Sequence, residues 1–159
     1  MPNSFSSRQE TAHNIEITEI GEFSKQAFEA VRKLTATLIP DAETFFTESY
    51  FKEILQSDNS HLFLILVNKD IAGMLTLGIY NSPTGKKAWI EDVVVDESFQ
   101  GKGLGRSIVQ YAVKFAEEAG VDTLMLTSRP SRVAANKLYQ SLDFVMKETN
   151  VYRIVFNNK

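Results

Sequence analysis

The segment Val93-Val94-Val95-Asp96-Glu97-Ser98-Phe99-Gln100-Gly101-Lys102-Gly103-Leu104-Gly105-Arg106 decides how the chain is read. A β-branched apolar run leads into a turn with glycine at three alternate positions. Beyond it, Leu104, Ile108, Ala112, Phe115 and Ala119 recur at helical spacing, with Arg106, Gln110, Lys114 and Glu117 on the other side. The pattern is strand, glycine turn, long amphipathic helix. Positions without side chains let the backbone turn sharply and be approached closely. The first amides of a helix lack internal partners, and the helix dipole favours an anion beside them. The segment therefore has the chemistry of a phosphate cradle.

Spacing narrows the kind of cradle. No register supplies Gly-x-x-x-x-Gly-Lys-Ser/Thr, and Gly-x-Gly-x-x-Gly fails because its last position falls on Arg106 or Ile108. Gln-x-x-Gly-x-Gly does fit, as Gln100-Gly101-Lys102-Gly103-Leu104-Gly105. This resembles the pyrophosphate loop of the GNAT superfamily of acyl-CoA-dependent N-acyltransferases. A strand candidate, Thr123 to Thr127, follows the Ala119-Gly120 helix stop. Next comes a segment similar to the family's Ala-x-x-Leu-Tyr-x-x-x-Gly-Phe, carried by Ala135, Leu138, Tyr139, Asp143 and Phe144. Two motifs in order, with a strand between them, are far more specific than either alone. The resemblance is close from Trp89 to Phe156 and rests on general layout before that.

The rest of the chain sets bounds. A length of 159 residues suits one domain with one substantial core. The expected division is a flexible tail over 1–13 and a single domain over 14–159. Cysteine is absent, so disulfides, thiolate metal sites and a cysteine nucleophile are excluded; two histidines, His13 and His61, make no metal cluster. A formal charge of −3 argues against nucleic acid as a partner. No apolar run is long enough to span a bilayer, and the first ten residues lack a signal-peptide pattern, so the cytoplasm is expected.

In chain order, Ile15 to Ile20 alternates as a strand, and Glu22 to Thr37 carries a helical apolar stripe. Leu38-Ile39-Pro40-Asp41 breaks it, and a second helix is expected from Ala42 to Gln56. Strands are expected over 61–67, 71–80 and 86–95, and a final pair over Phe144–Lys147 and Val151–Phe156 around Glu148-Thr149-Asn150. The order β-α-α-β-β-β-α-β-α-β-β is an α/β arrangement with a mixed sheet and helices on both faces. It matches the GNAT fold, whose resemblance implies a splayed central parallel pair that admits a pantetheine arm.

The resemblance also implies roles. Acetyl-CoA would be the donor, held by the backbone of Gly101 to Arg106 (Gly101, Lys102, Gly103, Leu104, Gly105, Arg106), with Gln100 ahead of it and the Val93, Val94 and Val95 strand paired to pantetheine. Lys102 and Arg106 meet phosphate or simply solubilise a helix start. Tyr139 is the first choice for general acid, against a plain packing role beside Leu138 and Leu142. Many family members carry Asn seven residues before this Tyr; here that position is Arg132, so Asn136, three residues before Tyr139, is the candidate pantetheine contact. Asp143 stands where the family has Gly, and Asp tolerates a left-handed backbone.

Glu91 and Asp92 are the candidate bases, Glu91 first, and neighbouring strand positions face opposite sides unless a bulge intervenes. Their alternative is a salt bridge with Lys86, Lys87 or Arg153. With no cysteine for an acyl-enzyme, direct attack by an amine in a ternary complex is the economical route. The expected acceptor is a primary amine of a small molecule or peptide, its specificity lying near Leu38 to Tyr50 and the last hairpin. Phe45, Phe46 and Tyr50 would line that pocket or fill the core. A homodimer is expected from family habit and from the apolar final segment. The competing readings are a CoA-binding sensor and an interaction domain without turnover.

Overall fold

Strand β4 (Gly85–Val95) carries the candidate carboxylates Glu91 and Asp92, and the sheet around it accounts for its shape. The computed structural model describes residues 14–39, 41 and 45–156. The chain divides into two units, one reaching Thr127 and one starting at Ser128.

In the first unit five strands lie in the order β1-β2-β3-β4-β5. They are β1 (Ile15–Glu19), β2 (Ser60–Val67), β3 (Asp70–Ser82), β4 and β5 (Thr123–Leu126). Neighbours are antiparallel except β4 and β5, which run parallel. Helices cover both faces, as the alternation requires. On one face Leu62, Leu64 and Met74 pack under α1 (Lys25–Leu38) and α2 (Glu48–Leu55) through Phe28, Val31, Leu34 and Phe51, joined by Phe46 just before α2. On the other, Phe63 meets Tyr111 and Phe115 of α3 (Leu104–Glu118) edge-on, at 5.1 and 5.0 Å between ring centres. Fully burying such side chains supplies most of the drive to fold, about 1.5–3 kcal/mol each.

Local chemistry sets the helix ends. Ser24 caps α1 by accepting from the Ala27 amide, and the Ile39 amide closes its end on the Thr35 carbonyl. Helix α2 begins at Glu48, where the Thr47 hydroxyl accepts from the Tyr50 amide; Phe46 and Thr47 are not helical, so the single helix expected from Ala42 to Gln56 is interrupted there. Pro40 and residues 42–44, where the break and the earlier start were expected, lie outside the described residues, as does the expected tail over 1–13. Phe46 fills core, stacked 5.7 Å from Phe28, and Phe45 packs against the same cluster, while Tyr50 stays exposed.

The second unit contains α4 (Val133–Gln140). The final pair of strands is a correction: no strand forms over Phe144–Lys147 or Val151–Phe156. The apolar alternation there is real, but strands need partners, and among the described residues no backbone hydrogen bond is made by 145–156.

Candidate active site

Two features of β4 create an accessible strand edge beside a pair of carboxylates. The first is the short parallel ladder. Lys87 to Ile90 pair with Thr123 to Leu126, and there the ladder ends, while β4 runs on to Val95. Among the described residues Glu91 to Val95 have no strand partner on that side. On the other side they remain anchored to β3, Glu91 opposite Thr76, Val94 opposite Met74 and Val95 opposite Gly73.

The second feature is a bulge. Between the Thr76–Glu91 and Met74–Val94 pairs, β3 has one residue, Leu75, and β4 has two, Asp92 and Val93. Asp92 takes φ +53°, the left-handed conformation that Asp accepts more readily than most side chains. Directly opposed residues share a face of the sheet. Glu91 therefore lies on the face of Thr76 and Leu62, which is the face of α1 and α2, and Val94 lies on that face with Met74. Without the extra residue Glu91 and Val94 would face opposite sides.

Both carboxyls reach solvent, yet enough protein surrounds them to disfavour charge. Glu91 is pushed above its ordinary range by desolvation and then by the Asp92 charge; Asp92 is pushed up by desolvation alone. A carboxylate of raised pKa is a better proton acceptor once ionised. Among the described residues neither forms a salt bridge with Lys86 or Lys87.

The glycine turn is braced at its root. The Asp96 amide donates to the Ala72 carbonyl at 2.8 Å, holding the end of β4 to β3. The Asp96 carboxylate accepts from Lys33 Nζ at 2.6 Å, the Ser98 hydroxyl at 2.5 Å and the Ser98 amide at 3.0 Å. These donors hold its pKa down at about 2. The carboxylate caps a short 3₁₀ turn, Glu97–Phe99, that delivers the chain to the loop. Gln100 donates from Nε2 to the Val95 carbonyl at 3.2 Å, so its amide ties the loop to β4. Lys102 Nζ lies 5.3 Å from the centre of the Phe99 ring.

Gly101 and Gly103 take φ +77° and +75°, which bars most other residues. A Cβ on either would meet nothing within 4 Å, so open space faces the loop. Gly103 starts α3 without a side-chain cap, and the first amide to bond inward is that of Ser107, to the Gly103 carbonyl at 3.1 Å. The turn that ends at Leu104, Gly105 and Arg106 thus presents the start of a fifteen-residue helix to that space.

Within the second unit, the Leu-Tyr-x-x-x-Asp-Phe segment is a helix stop. The Phe144 amide donates to the Tyr139 carbonyl at 3.1 Å and the Asp143 amide to the Gln140 carbonyl at 3.2 Å, while Asp143 takes φ +65°. This is a Schellman motif, and its usual apolar contact is the Tyr139–Phe144 ring pair, 6.0 Å apart and edge-on. The spacing of the motif follows from that geometry. Tyr139 is buried, and desolvation raises its phenol above the ordinary value against a lowering pull from Arg132. Asn136 donates from Nδ2 to the carbonyls of Arg129 and Arg132, both at 2.9 Å. Both amide hydrogens are used, which leaves only its carbonyl oxygen for a ligand.

Sequence reasoning did not single out Gly73, Lys33 or Asp96. A Cβ on Gly73 would lie 2.6 Å from the Val94 carbonyl oxygen, so this glycine is what lets β4 approach β3 beside the bulge. A glycine inside a strand pattern is the signal that marks it. Among the described residues no group of three His, Cys, Asp or Glu is placed to hold a metal, and no helix is long and apolar enough to cross a membrane.

A mixed sheet with a parallel pair that parts beside a bulged strand, followed by a glycine turn into a helix, is the architecture of acyl-CoA-dependent acyltransferases. The Acetyltransferase (GNAT) family model matches residues 28–144, and the chain belongs to that family. The chain is 40% identical over 58 residues to the [ribosomal protein bS18]-alanine N-acetyltransferase of Escherichia coli, a match covering 36% of this chain and 39% of that protein. The similarity thus spans about two fifths of the length of that curated relative. An uncharacterised N-acetyltransferase of Methanocaldococcus jannaschii is 24% identical over 141 residues, covering 87% of this chain and 62% of that one. Among solved structures, an aminoglycoside acetyltransferase from an uncultured soil sample superposes with a TM-score of 0.76 at 20% identity, covering 89% of this chain and 95% of that one. An aminoglycoside N-acetyltransferase in complex with CoA gives 0.68 at 19%, covering 92% and 95%. At such identities these structures establish the fold alone.

Proposed function

We propose that the chain is an acetyl-CoA-dependent N-acetyltransferase of the cytoplasm, acting on a primary amine of a small molecule or peptide. The observation that carries the reading is the β4 edge from Glu91 to Val95, freed from β5 and continuous with the glycine turn. The donor fits the residues present: open space lies over Gly101 and Gly103, and no side chain caps the helix start beyond them. Backbone amides of the turn from Gly101 to Arg106 would hold the pyrophosphate, and peptide groups of Val93, Val94 and Val95 would pair with the pantetheine amides. Gln100 keeps the turn against Val95, and the free oxygen of Asn136 remains for a further contact.

When bound, the donor supplies an acetyl group activated as a thioester. The chain's own residues must then neutralise the incoming ammonium and protonate the departing sulfur. Glu91 would take the first amine proton, directly or through water, its pKa held up by desolvation and then by the Asp92 charge. Tyr139, kept protonated at neutral pH, would give its phenolic proton to the leaving thiolate, and the second proton lost by the nitrogen as the amide forms would restore the phenol. Direct attack by the amine is the economical route, because the chain has no cysteine to carry the acyl group as a thioester.

Two acceptor classes come from the relatives: the alanine of ribosomal protein bS18 named for the Escherichia coli enzyme and the aminoglycosides named for the structural neighbours. The test is thiol release from acetyl-CoA across a panel of peptides with free N-termini, aminoglycosides and simple amines. Turnover with any member supports the reading. A protein that CoA stabilises against heat but that turns over no amine is instead a sensor. If CoA leaves the melting temperature unchanged, the donor assignment fails.

A further inference from the structure

Three elements meet at Asp96, the residue that joins β4 to the glycine turn. Its amide donates to the Ala72 carbonyl of β3 at 2.8 Å. Its Oδ1 accepts from the Ser98 hydroxyl and the Ser98 amide, which closes the 3₁₀ turn on itself. Its Oδ2 accepts from Lys33 Nζ at 2.6 Å, across 63 positions of sequence. The Ser98 bonds are local and would shape the turn wherever it lay. The Lys33 bond differs, because it holds the turn from α1, a separate element of the fold.

Lys33 has a firm base from which to do this. Val31 and Leu34, on either side of it along α1, are 3% and 2% exposed, so the helix is locked into the core at this level. Val94, two residues before Asp96, packs on the core cluster that contains both of them. Helix α1 therefore grips the end of β4 twice, by apolar contact at Val94 and by the ion pair at Asp96. Downstream the turn has open space beside it, since a Cβ on Gly101 or Gly103 would meet nothing within 4 Å. A turn so open takes its position from its root.

We propose that Lys33 is a positioning residue for the donor: acting through Asp96, it sets how the glycine turn presents its amides to the pyrophosphate. The inference rests on the reading of that turn as the CoA cradle. It also gives α1 a role toward both substrates. Glu91 lies on the sheet face that α1 covers, so the base and the donor turn are referred to one helix. Lys33 itself touches neither substrate. Its side chain is 73% exposed, and an ion pair so exposed adds little to stability. Its effect is on where the turn sits.

The test is titration of CoA by calorimetry into the wild type, Lys33→Met, Asp96→Asn, the double variant and Lys33→Arg. Lys25→Met is the control, because Lys25 also lies on α1, is 65% exposed and pairs at 2.5 Å with Glu48 of α2. Lys33→Met should weaken CoA binding about threefold to fivefold, Asp96→Asn by a similar factor, and the double variant by no more than either. Lys33→Arg should bind within about twofold of wild type, since a guanidinium also donates to a carboxylate. In turnover the loss should fall on KM for acetyl-CoA, with kcat within about twofold of wild type. A Lys33→Met protein that binds CoA as tightly as wild type overturns the proposal and leaves the donor reading intact. Losses that add in the double variant overturn it as well, because the two residues then act separately. An equal loss in Lys25→Met does the same, because any break in an ion pair of α1 would then suffice. A wild-type chain that binds no CoA removes the donor reading, and this proposal with it.

Discussion

Replacing Gly73 by alanine tests whether the close approach of β3 and β4 sets up the donor site. The new Cβ would stand 2.6 Å from the Val94 carbonyl oxygen, 3.1 Å from Ile65 Cγ2 and 3.3 Å from Val95 Cα. Ordinary contact begins near 3.4 Å, so the two strands must part by about 0.8 Å at Val94. Two of the three obstacles are backbone and cannot swing aside. Overpacking of this kind costs about 1–3 kcal/mol, or roughly 3–10 °C of melting temperature for a chain of this size. The shift falls on the peptide groups proposed to pair with pantetheine. Misplacement near 1 Å can cost up to ~10²-fold, so KM for acetyl-CoA should rise about tenfold or more. Gly78→Ala is the internal control, because its Cβ would meet only the Asn59 carbonyl oxygen, at 4.0 Å. The assay pairs thermal unfolding with initial rates over a range of acetyl-CoA. A Gly73→Ala protein with the wild-type melting temperature and KM would refute the reasoning, as would equal damage from Gly78→Ala.

Tyr139→Phe keeps the ring against Phe144 and removes the proton, so kcat should fall about 10²–10⁴-fold with little change in melting temperature or CoA affinity; turnover within about threefold of wild type would leave the phenol a packing group. Glu91→Gln should lower kcat/KM by a similar factor. In the wild type the acid limb of the pH profile should lie above the ordinary carboxylate range, because desolvation and Asp92 hold the Glu91 proton on; a limb at the ordinary value, or one that persists unchanged in the variant, would dismiss Glu91 as base. The same raised pKa makes Glu91 a small drain on stability, one that grows as pH rises from the ordinary carboxylate range through its raised value. Asp96 has the opposite sign. Its pKa of about 2 lies below the unfolded value, so its contribution is full above about pH 4 and is lost as pH falls toward 2. Lys33 is 73% exposed, which limits the contribution to about 1 kcal/mol, so Asp96→Asn should lower the melting temperature by about 2–4 °C at pH 7 and by progressively less in acid.

The sequence was most informative where one local signal and one tertiary role agree. The stripe from Leu104 to Ala119 predicts a helix, and Ile108, Val109 and Ala112 of that helix are fully buried. Asp143 in a glycine position predicts a left-handed residue, and its φ is +65°. Alternation predicts β1 to β5 within a residue or two. The same signal misleads at 144–156, because alternation records only that a segment would make a good strand, and pairing depends on an edge that is available. The single helix expected from Ala42 to Gln56 is interrupted at Phe46 and Thr47 for a related reason. Apolar spacing runs through that point, but the hydroxyl of Thr47 caps a fresh start at Glu48.

The bulge at Asp92 is the part of the site that the sequence held back, and it changes what the two carboxylates can do. In a regular strand Glu91 and Asp92 would face opposite sides, and at most one could serve an acceptor. With Asp92 in the left-handed region, Glu91 stays on the face of α1 and α2 and Asp92 stays near enough for its charge to raise Glu91. Two cues in the sequence bear on this: an Asp able to accept positive φ, and Gly73 on the neighbouring strand, where a close approach is needed. Neither is specific alone, since Asp in a strand is usually just a surface charge and glycine in a strand usually just weakens it. Their partnership depends on register, which places Gly73 opposite Val95, three residues past the bulge. Register is set by the whole sheet. For that reason the pair of candidate carboxylates was legible in the sequence, and the bulge that sets Asp92 beside Glu91 was not.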